Sequence, residues 1–393
     1  MNDGNLLAWH YATRQPVRLR WADGKIVEAA TSNEQPPRDC WVGPALVDLQ
    51  VNGYAGVDFQ QDNLSADDLL RAAQALQRDG CGRFLLTLIS DDWPRMMARL
   101  AHLRRVREST PPLVRAIAGW HLEGPFLSSE TGFRGAHRAE VMCDPKPEQI
   151  EELRAVAGDD PVMVTLAPER LDAIAAIGQA SALGIKVSLG HTNAPSKRLT
   201  QAIRAGALAF THLGNGCPRE LDRFDNILWR MFETPKLRVS LIPDGIHVSP
   251  ALFRLIHREI GAERIHFVSD AMAAAGAPPG RYRLAHLELE VGEDGVVRLP
   301  GTQNLAGSAL RPIDGVFKAA SMLDVGWQEI WPRYSDVPAG LMGLTQGLTA
   351  GTAADFCVLE VTPESWLEDL KVYIGGAEVP DVGASLVNDD HAV

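Results

Sequence analysis

Apolar runs of strand length recur along the chain at 45–51, 84–89, 114–122, 162–166, 186–189, 207–211, 238–242 and 265–268. Between most of them lie segments patterned with the helical period, at 65–78, 92–107, 146–156, 171–183 and 195–205. A strand that is apolar on both faces has to be covered on both. Such strands alternating with helices therefore predict a parallel sheet, and eight units predict a closed (β/α)8 barrel of the TIM type. An open doubly wound sheet is the alternative that periodicity alone leaves standing.

The chain ends read differently. Leu6-Leu7-Ala8-Trp9, Val17-Arg18-Leu19-Arg20 and Lys25-Ile26-Val27 are short strands separated by turns, with no helical stretch among them. The same texture returns after Gly351-Thr352-Ala353-Ala354-Asp355, in Phe356-Cys357-Val358-Leu359 and again from Val372 to Val379. The two ends are expected to combine, residues 1–43 with 346–393, into a small β-sandwich domain beside a barrel spanning 44–345. The last residues, 388–393, are expected to be disordered.

Composition narrows the function classes. At 393 residues, 46% hydrophobic and 22% charged, the chain can bury a large core. It holds no apolar run near the roughly 18 residues of a membrane helix. The formal charge of −12 argues against nucleic acid and anionic membrane as partners, while a small anionic substrate would need only a local cationic pocket. The opening Met1-Asn2-Asp3-Gly4-Asn5 has no basic segment followed by an apolar one, so a cytoplasmic location is expected. The cysteines Cys40, Cys81, Cys143, Cys217 and Cys357 are odd in number and lack CxxC spacing, and so are expected to be reduced and mostly buried thiols.

In such a barrel the C-terminal strand ends share one mouth, so polar residues just beyond the runs should converge. They are Gln50 and Asn52, Glu123, His191, His212, His247 and Asp270. Two histidines and a carboxylate from three different strands suit a divalent transition metal with an open position for water. Any one of these histidines alone reads as a packed or loop residue; the set reads as a site. Behind His212, Gly214-Asn215-Gly216 can bring backbone amides close to a ligand. His121 shares a face with Glu123 and either supports the site or packs.

Taken together, His121-Leu122-Glu123-Gly124-Pro125-Phe126, Gly190-His191-Thr192, Thr211-His212-Leu213, Asp244-Gly245-Ile246-His247, Ser269-Asp270-Ala271 and Leu305-Ala306-Gly307-Ser308 resemble the N-acetylglucosamine-6-phosphate deacetylases of the amidohydrolase superfamily, from about Gly43 to Glu360. The resemblance implies a metal-dependent hydrolase that removes the N-acetyl group from an amino sugar. It implies that Glu123, His191 and His212 bind the metal, that Asp270 is the general base and acid, and that His137, Asn215, Gly216, Arg223, His247 and Leu305 contact substrate. It further implies a homodimer in which an arginine crosses the subunit boundary to the sugar phosphate.

The chain departs from the family in two places. Many amidohydrolases carry His-x-His on the first strand and hold two metals; Gln50-Val51-Asn52 offers amides instead, so one divalent ion, zinc, is expected. After His212 the family's Asn-Ala-Met-Pro text is replaced by Gly214-Asn215-Gly216-Cys217-Pro218, and only Arg219 and Arg223 are near to serve the phosphate. Competing readings are another amidohydrolase reaction (cyclic amide hydrolysis or deamination), an unphosphorylated or galacto-configured substrate, and a metal-free binding protein.

Overall fold

The structure is a computed structural model that describes residues 3–234, 236–301 and 305–380; the tail at 388–393 lies outside the described residues. The chain divides into two compact units, one formed by 46–347 and the other by the residues up to 45 together with those from 348 onward.

In the larger unit eight parallel strands, Leu46–Val51, Cys81–Ile89, Ile117–Glu123, Val162–Leu166, Lys186–Leu189, Ala209–Phe210, Arg238–Leu241 and Ile265–Phe267, each pair with the next in chain order. The ring closes beyond the eighth strand, where Val51 bridges Ala271 in parallel and Asn52 N donates to Ala271 O at 2.7 Å. Closure removes the free edges that an open doubly wound sheet would keep, so the barrel reading holds. Val47, Leu49, Leu85, Ala118, Met163, Ile242 and Val268 bury against one another in its interior, joined by Ala339 and Met342 of the helix Asp336–Met342.

The helices form where local chemistry starts and stops them. Ala66–Arg78 opens on Ser65, whose hydroxyl accepts from Asp68 N at 3.1 Å while the Asp68 carboxylate accepts from Ser65 N at 3.3 Å. This reciprocal cap stabilises a helix by about 1 kcal/mol. Leu69, Ala72, Ala73 and Leu76 then fall at the spacing of a single stripe, which the helix buries.

Two stretches differ from expectation. Residues 114–116 belong to a short helix, Pro111–Ala116, and the third barrel strand begins only at Ile117. Pro111 and Pro112 occupy the first turn, where a missing N–H costs nothing, and so a helix starts within an apolar run. After the eighth strand, a three-stranded antiparallel sheet (Gly280–Leu284, Leu287–Val291, Val297–Arg298) is inserted. It packs Leu284, Leu289, Val291 and Val297 against Ile89, Met272 and Ala306. The alternation in Leu287-Glu288-Leu289-Glu290-Val291 is its sequence signal.

In the smaller unit seven strands from both chain ends make one hydrogen-bonded ladder, which includes an unanticipated strand at Cys40–Pro44. The strands of Trp21 and Phe356 are three ladder steps apart, or about 14 Å in a flat sheet, yet their rings lie 5.0 Å apart and Trp21 Nε1 donates to Gly376 O at 2.9 Å. The ladder therefore folds over, and its two halves enclose Leu19, Trp21, Val42 and Phe356 in the manner of a sandwich. Of the five thiols, Cys81 and Cys357 are buried and the other three are half-buried. No helix among the described residues is long and apolar enough to cross a membrane.

Truncating Leu85, fully buried in the barrel interior, leaves a cavity, so Leu85→Ala should lower stability to urea by about 2–5 kcal/mol. A loss below about 1 kcal/mol would show that the interior is not closely packed there.

Candidate active site

Glu123 is the last residue of the third barrel strand, and His191, His212 and Asp270 follow the fifth, sixth and eighth. The last three have φ of 50°, 31° and 52°, in the left-handed region that non-glycine residues enter only when surrounding structure holds them. Asp270 is pinned by the motif at 305–308: Ser308 N donates to Asp270 O at 2.9 Å, and the Ser308 hydroxyl donates to Ser269 O at 2.5 Å.

Glu123, His191 and His212 are buried and can present ligand atoms all within 4.8 Å of one another. Glu123 Oε1 lies 2.8 Å from His212 Nε2 and 3.3 Å from His191 Nε2. Burial pushes the Glu123 carboxyl up, but the two imidazoles more than offset this and hold it well below the usual carboxylate range. For His212 burial acts downward, and the hydrogen bond and charge of Glu123 outweigh it, raising its pKa. His212 Nδ1 is buried without a hydrogen-bond partner. Three buried donors of these types, able to bring their ligand atoms within 4.8 Å of one another, fit a divalent transition metal.

His191 is aimed from behind. Its Nδ1 lies 2.9 Å from Phe133 O; a carbonyl only accepts, so Nδ1 carries a proton, and Nε2 is the nitrogen that faces the cluster. Gly135 and Gly216 (φ +58° and +59°) press on the ring, and a Cβ on either would stand 2.9 Å from Cε1 or 2.8 Å from Nδ1. Gly216 thus makes room for an imidazole, a role its motif did not disclose.

Gln50 and Asn52 have a different part. Gln50 Nε2 donates to Glu123 Oε1 at 2.9 Å and to Asp270 Oδ1 at 3.1 Å, and Asn52 Nδ2 donates to Asp270 Oδ1 at 2.7 Å. Carboxylates only accept, so both amides must turn their NH2 groups to them. Both amide oxygens are left buried and unpartnered. Burial, then the charge of Glu123, pushes the Asp270 carboxyl up to about 6. His121, whose role was open, is spent inside the wall: its nitrogens reach Leu49 O at 2.9 Å and Thr165 Oγ1 at 2.8 Å, and burial pushes its pKa down to about 4.

Asn52, Glu123, His191, His212 and Asp270 face a cavity of about 640 Å³, within the range of small-molecule sites. His137, Asn215, Gly216, His247 and Leu305 line it as expected. His137 Nε2 is 3.8 Å from Glu123 Oε2, and burial, then the neighbouring His191, drives its pKa down to about 3. His247 is oriented by Asp244, Nδ1 to Oδ2 at 2.6 Å. Arg223 is not brought to the cavity; it is exposed, with its guanidinium 4.5 Å over the Phe224 ring. The chain turns at Asp222, whose carboxylate accepts from Phe224 N at 2.7 Å and Asp225 N at 3.1 Å. Arg219 does line the cavity, as does Arg134, which the sequence reading missed.

No protein-family model matches the chain. It is 32% identical over 354 residues to an N-acetylglucosamine-6-phosphate deacetylase of Danio rerio, covering 86% of this chain and 84% of that protein. It is 31% identical to an N-acetylgalactosamine-6-phosphate deacetylase of Escherichia coli O157:H7, over 83% and 85% of the two chains. Among solved structures, an N-acetyl-D-glucosamine-6-phosphate deacetylase of Mycobacterium smegmatis, a mutant in complex with N-acetyl-D-glucosamine-6-phosphate, matches with a TM-score of 0.81 and 31% identity over 93% and 94% of the chains.

Because Glu123 raises the pKa of His212, a metal entering the cluster has to displace a proton at about pH 6. Calorimetric zinc titration of metal-stripped protein in two buffers of different ionisation heat should therefore report proton release, and apparent affinity should fall as pH falls. Uptake without proton release at about pH 6 would show that His212 is neutral before metal arrives.

Proposed function

The chain belongs to the N-acetylglucosamine-6-phosphate deacetylase family of the amidohydrolase superfamily, and on that footing we propose that it hydrolyses N-acetylglucosamine 6-phosphate to glucosamine 6-phosphate and acetate. The observation that carries the reading is the buried Glu123–His191–His212 cluster with Asp270 tied to it through Gln50, at one wall of the cavity.

Glu123, His191 and His212 would hold one divalent ion, zinc, which when bound would supply Lewis-acid polarisation of the amide carbonyl and acidify water. One ion rather than two follows from the amide nitrogens of Gln50 and Asn52 facing the carboxylates: an amide NH2 donates hydrogen bonds and offers a metal no lone pair. Asp270 accepts the proton of the attacking water on its carboxylate and returns it to the amine nitrogen, which leaves as the C–N bond breaks. His137 and His247 orient the acetamido group and donate to the oxygen where negative charge develops. Asn215, Gly216 and Leu305 bound the sugar.

Exposed Phe224 and Trp229 (79% and 43% accessible) flank Arg223, and aromatic residues of this kind are enriched at interfaces. They support a homodimer in which that segment forms the contact and Arg223 serves a partner's cavity. Cysteines that form no disulfide among the described residues support a cytoplasmic setting. A galacto-configured substrate is the second reading, favoured by the near-equal similarity to the Escherichia coli relative.

Assaying metal-loaded protein on N-acetylglucosamine and N-acetylgalactosamine, each with and without a 6-phosphate, tests the assignment: turnover should be fastest on the gluco 6-phosphate. Release of ammonia from a base or opening of a cyclic amide, with no acetate from any of the sugars, would overturn it. Asp270→Asn should retain about one metal per chain by elemental analysis yet lose at least about 10²-fold in kcat. Near-normal turnover by that metal-replete variant would falsify the role given to Asp270.

A further inference from the structure

One wall of the cavity is apolar. Ile89, Ala136, Leu284, Leu287, Leu299 and Ala306 all line it and pack into one cluster. Leu284, Leu287 and Leu299 come from the inserted antiparallel sheet or the residue just after it, and the alternation of its strands sends charge to the opposite face. There Arg281 pairs with Glu290 at 3.2 Å and Arg283 with Glu288 at 3.3 Å.

The core of the inserted sheet does not account for this wall. Leu289, Val291 and Val297 are buried in the cluster and do not line the cavity, whereas Leu287 and Leu299 are half-buried and do. Apolar surface left open to a cavity gains free energy when a ligand covers it.

Three members fix where the wall stands. Ile89 is in register with Glu123 across the second and third barrel strands. Ala136 immediately precedes His137, whose Nε2 lies 3.8 Å from Glu123 Oε2. Ala306 is followed by Gly307, where a Cβ would stand 3.4 Å from Asp270 O, and then by Ser308, whose N donates to that oxygen at 2.9 Å. The wall thus adjoins Glu123, His137 and Asp270. A carbonyl carbon attacked there carries the sugar nitrogen on one side and an acyl chain on the other, and the chain is the substituent with apolar surface to bury. A methyl group touches only side chains within about 4.5 Å of it, yet this wall draws on four stretches of chain, at 89, 136, 284–299 and 306.

Resting on the deacetylase reading above, we propose that this wall receives the substrate's acyl chain and that the protein also cleaves N-propanoyl and N-butanoyl amino sugars, releasing propanoate or butanoate. The balance is that of the acetyl reaction. The oxygen of water bonds to the acyl carbon, the C–N bond breaks with its electron pair passing to nitrogen, and nitrogen takes the proton held by Asp270. Each methylene buried against the wall contributes about 4-fold in kcat/KM, or about 0.8 kcal/mol.

The test measures kcat/KM of metal-loaded wild type on the N-acetyl, N-propanoyl and N-butanoyl forms of glucosamine 6-phosphate. The butanoyl-to-acetyl ratio should exceed one and reach up to about 16-fold for two methylenes. Leu287→Asn and Leu299→Asn should each lower that ratio and Leu287→Met should retain it. Leu289→Ala, which disturbs the same sheet away from the cavity, should leave it unchanged. Acetyl hydrolysis with a ratio of one or less, or a ratio that the two asparagine variants lower no more than Leu289→Ala does, overturns the proposal and leaves the deacetylase reading intact. If none of these sugars is hydrolysed, the deacetylase reading fails, and calorimetry of metal-loaded protein with acetate and butanoate decides the wall: tighter binding of butanoate that Leu287→Asn abolishes supports it, and any other result overturns it.

Discussion

A carboxylate shut away from water is the constraint on which the site depends. Glu123 is buried at the end of a strand with no bulk solvent to ionise it, and an isolated charge in that position would be neutralised by a proton. It remains a carboxylate because His191, His212 and the Gln50 amide all approach a single oxygen, Oε1. Each of those donors is in turn restrained: His191 by a carbonyl and two glycines, Gln50 by also holding Asp270. Removing any one member leaves a buried polar group unpaired, which typically costs about 1–3 kcal/mol. The arrangement is thus coupled, each member holding another in place.

Much of the architecture was legible because a barrel strand is apolar on both faces and most were separated from the next by a helical stretch. The run at 114–122 misled because it mixes two structures, and only Pro111 and Pro112 mark the boundary. The inserted antiparallel sheet is visible as alternation between 280 and 291 but carries no chemistry of its own to draw attention to it.

At the site, residue type was legible and geometry was not. Glu123, His191, His212 and Asp270 stand out because carboxylates and imidazoles at the ends of buried strands need partners. Nothing in the text Gln50-Val51-Asn52 says that two amides will serve carboxylates rather than a ligand. Gly216 reads as a place where backbone amides come close to a ligand, whereas its hydrogen is what a neighbouring imidazole requires. Arg134 escaped notice because it lies ten or more residues beyond its strand, in a loop that only the fold returns to the mouth.

The hydrogen bond from Trp21 to Gly376 joins residues 355 positions apart, and this has a consequence for the order of events on the ribosome. The barrel strands are all made before residue 268 emerges, so the larger unit can begin to assemble while synthesis continues. The first strands of the smaller unit cannot finish their own interior until Phe356 and the residues after it have been made. From their own synthesis until that of Phe356, Leu19 and Trp21 are held without the ring that will cover them. A nascent chain stalled before that point presents an aromatic, sheet-forming surface with its natural cover still unmade, which is the window in which a chaperone would find something to hold.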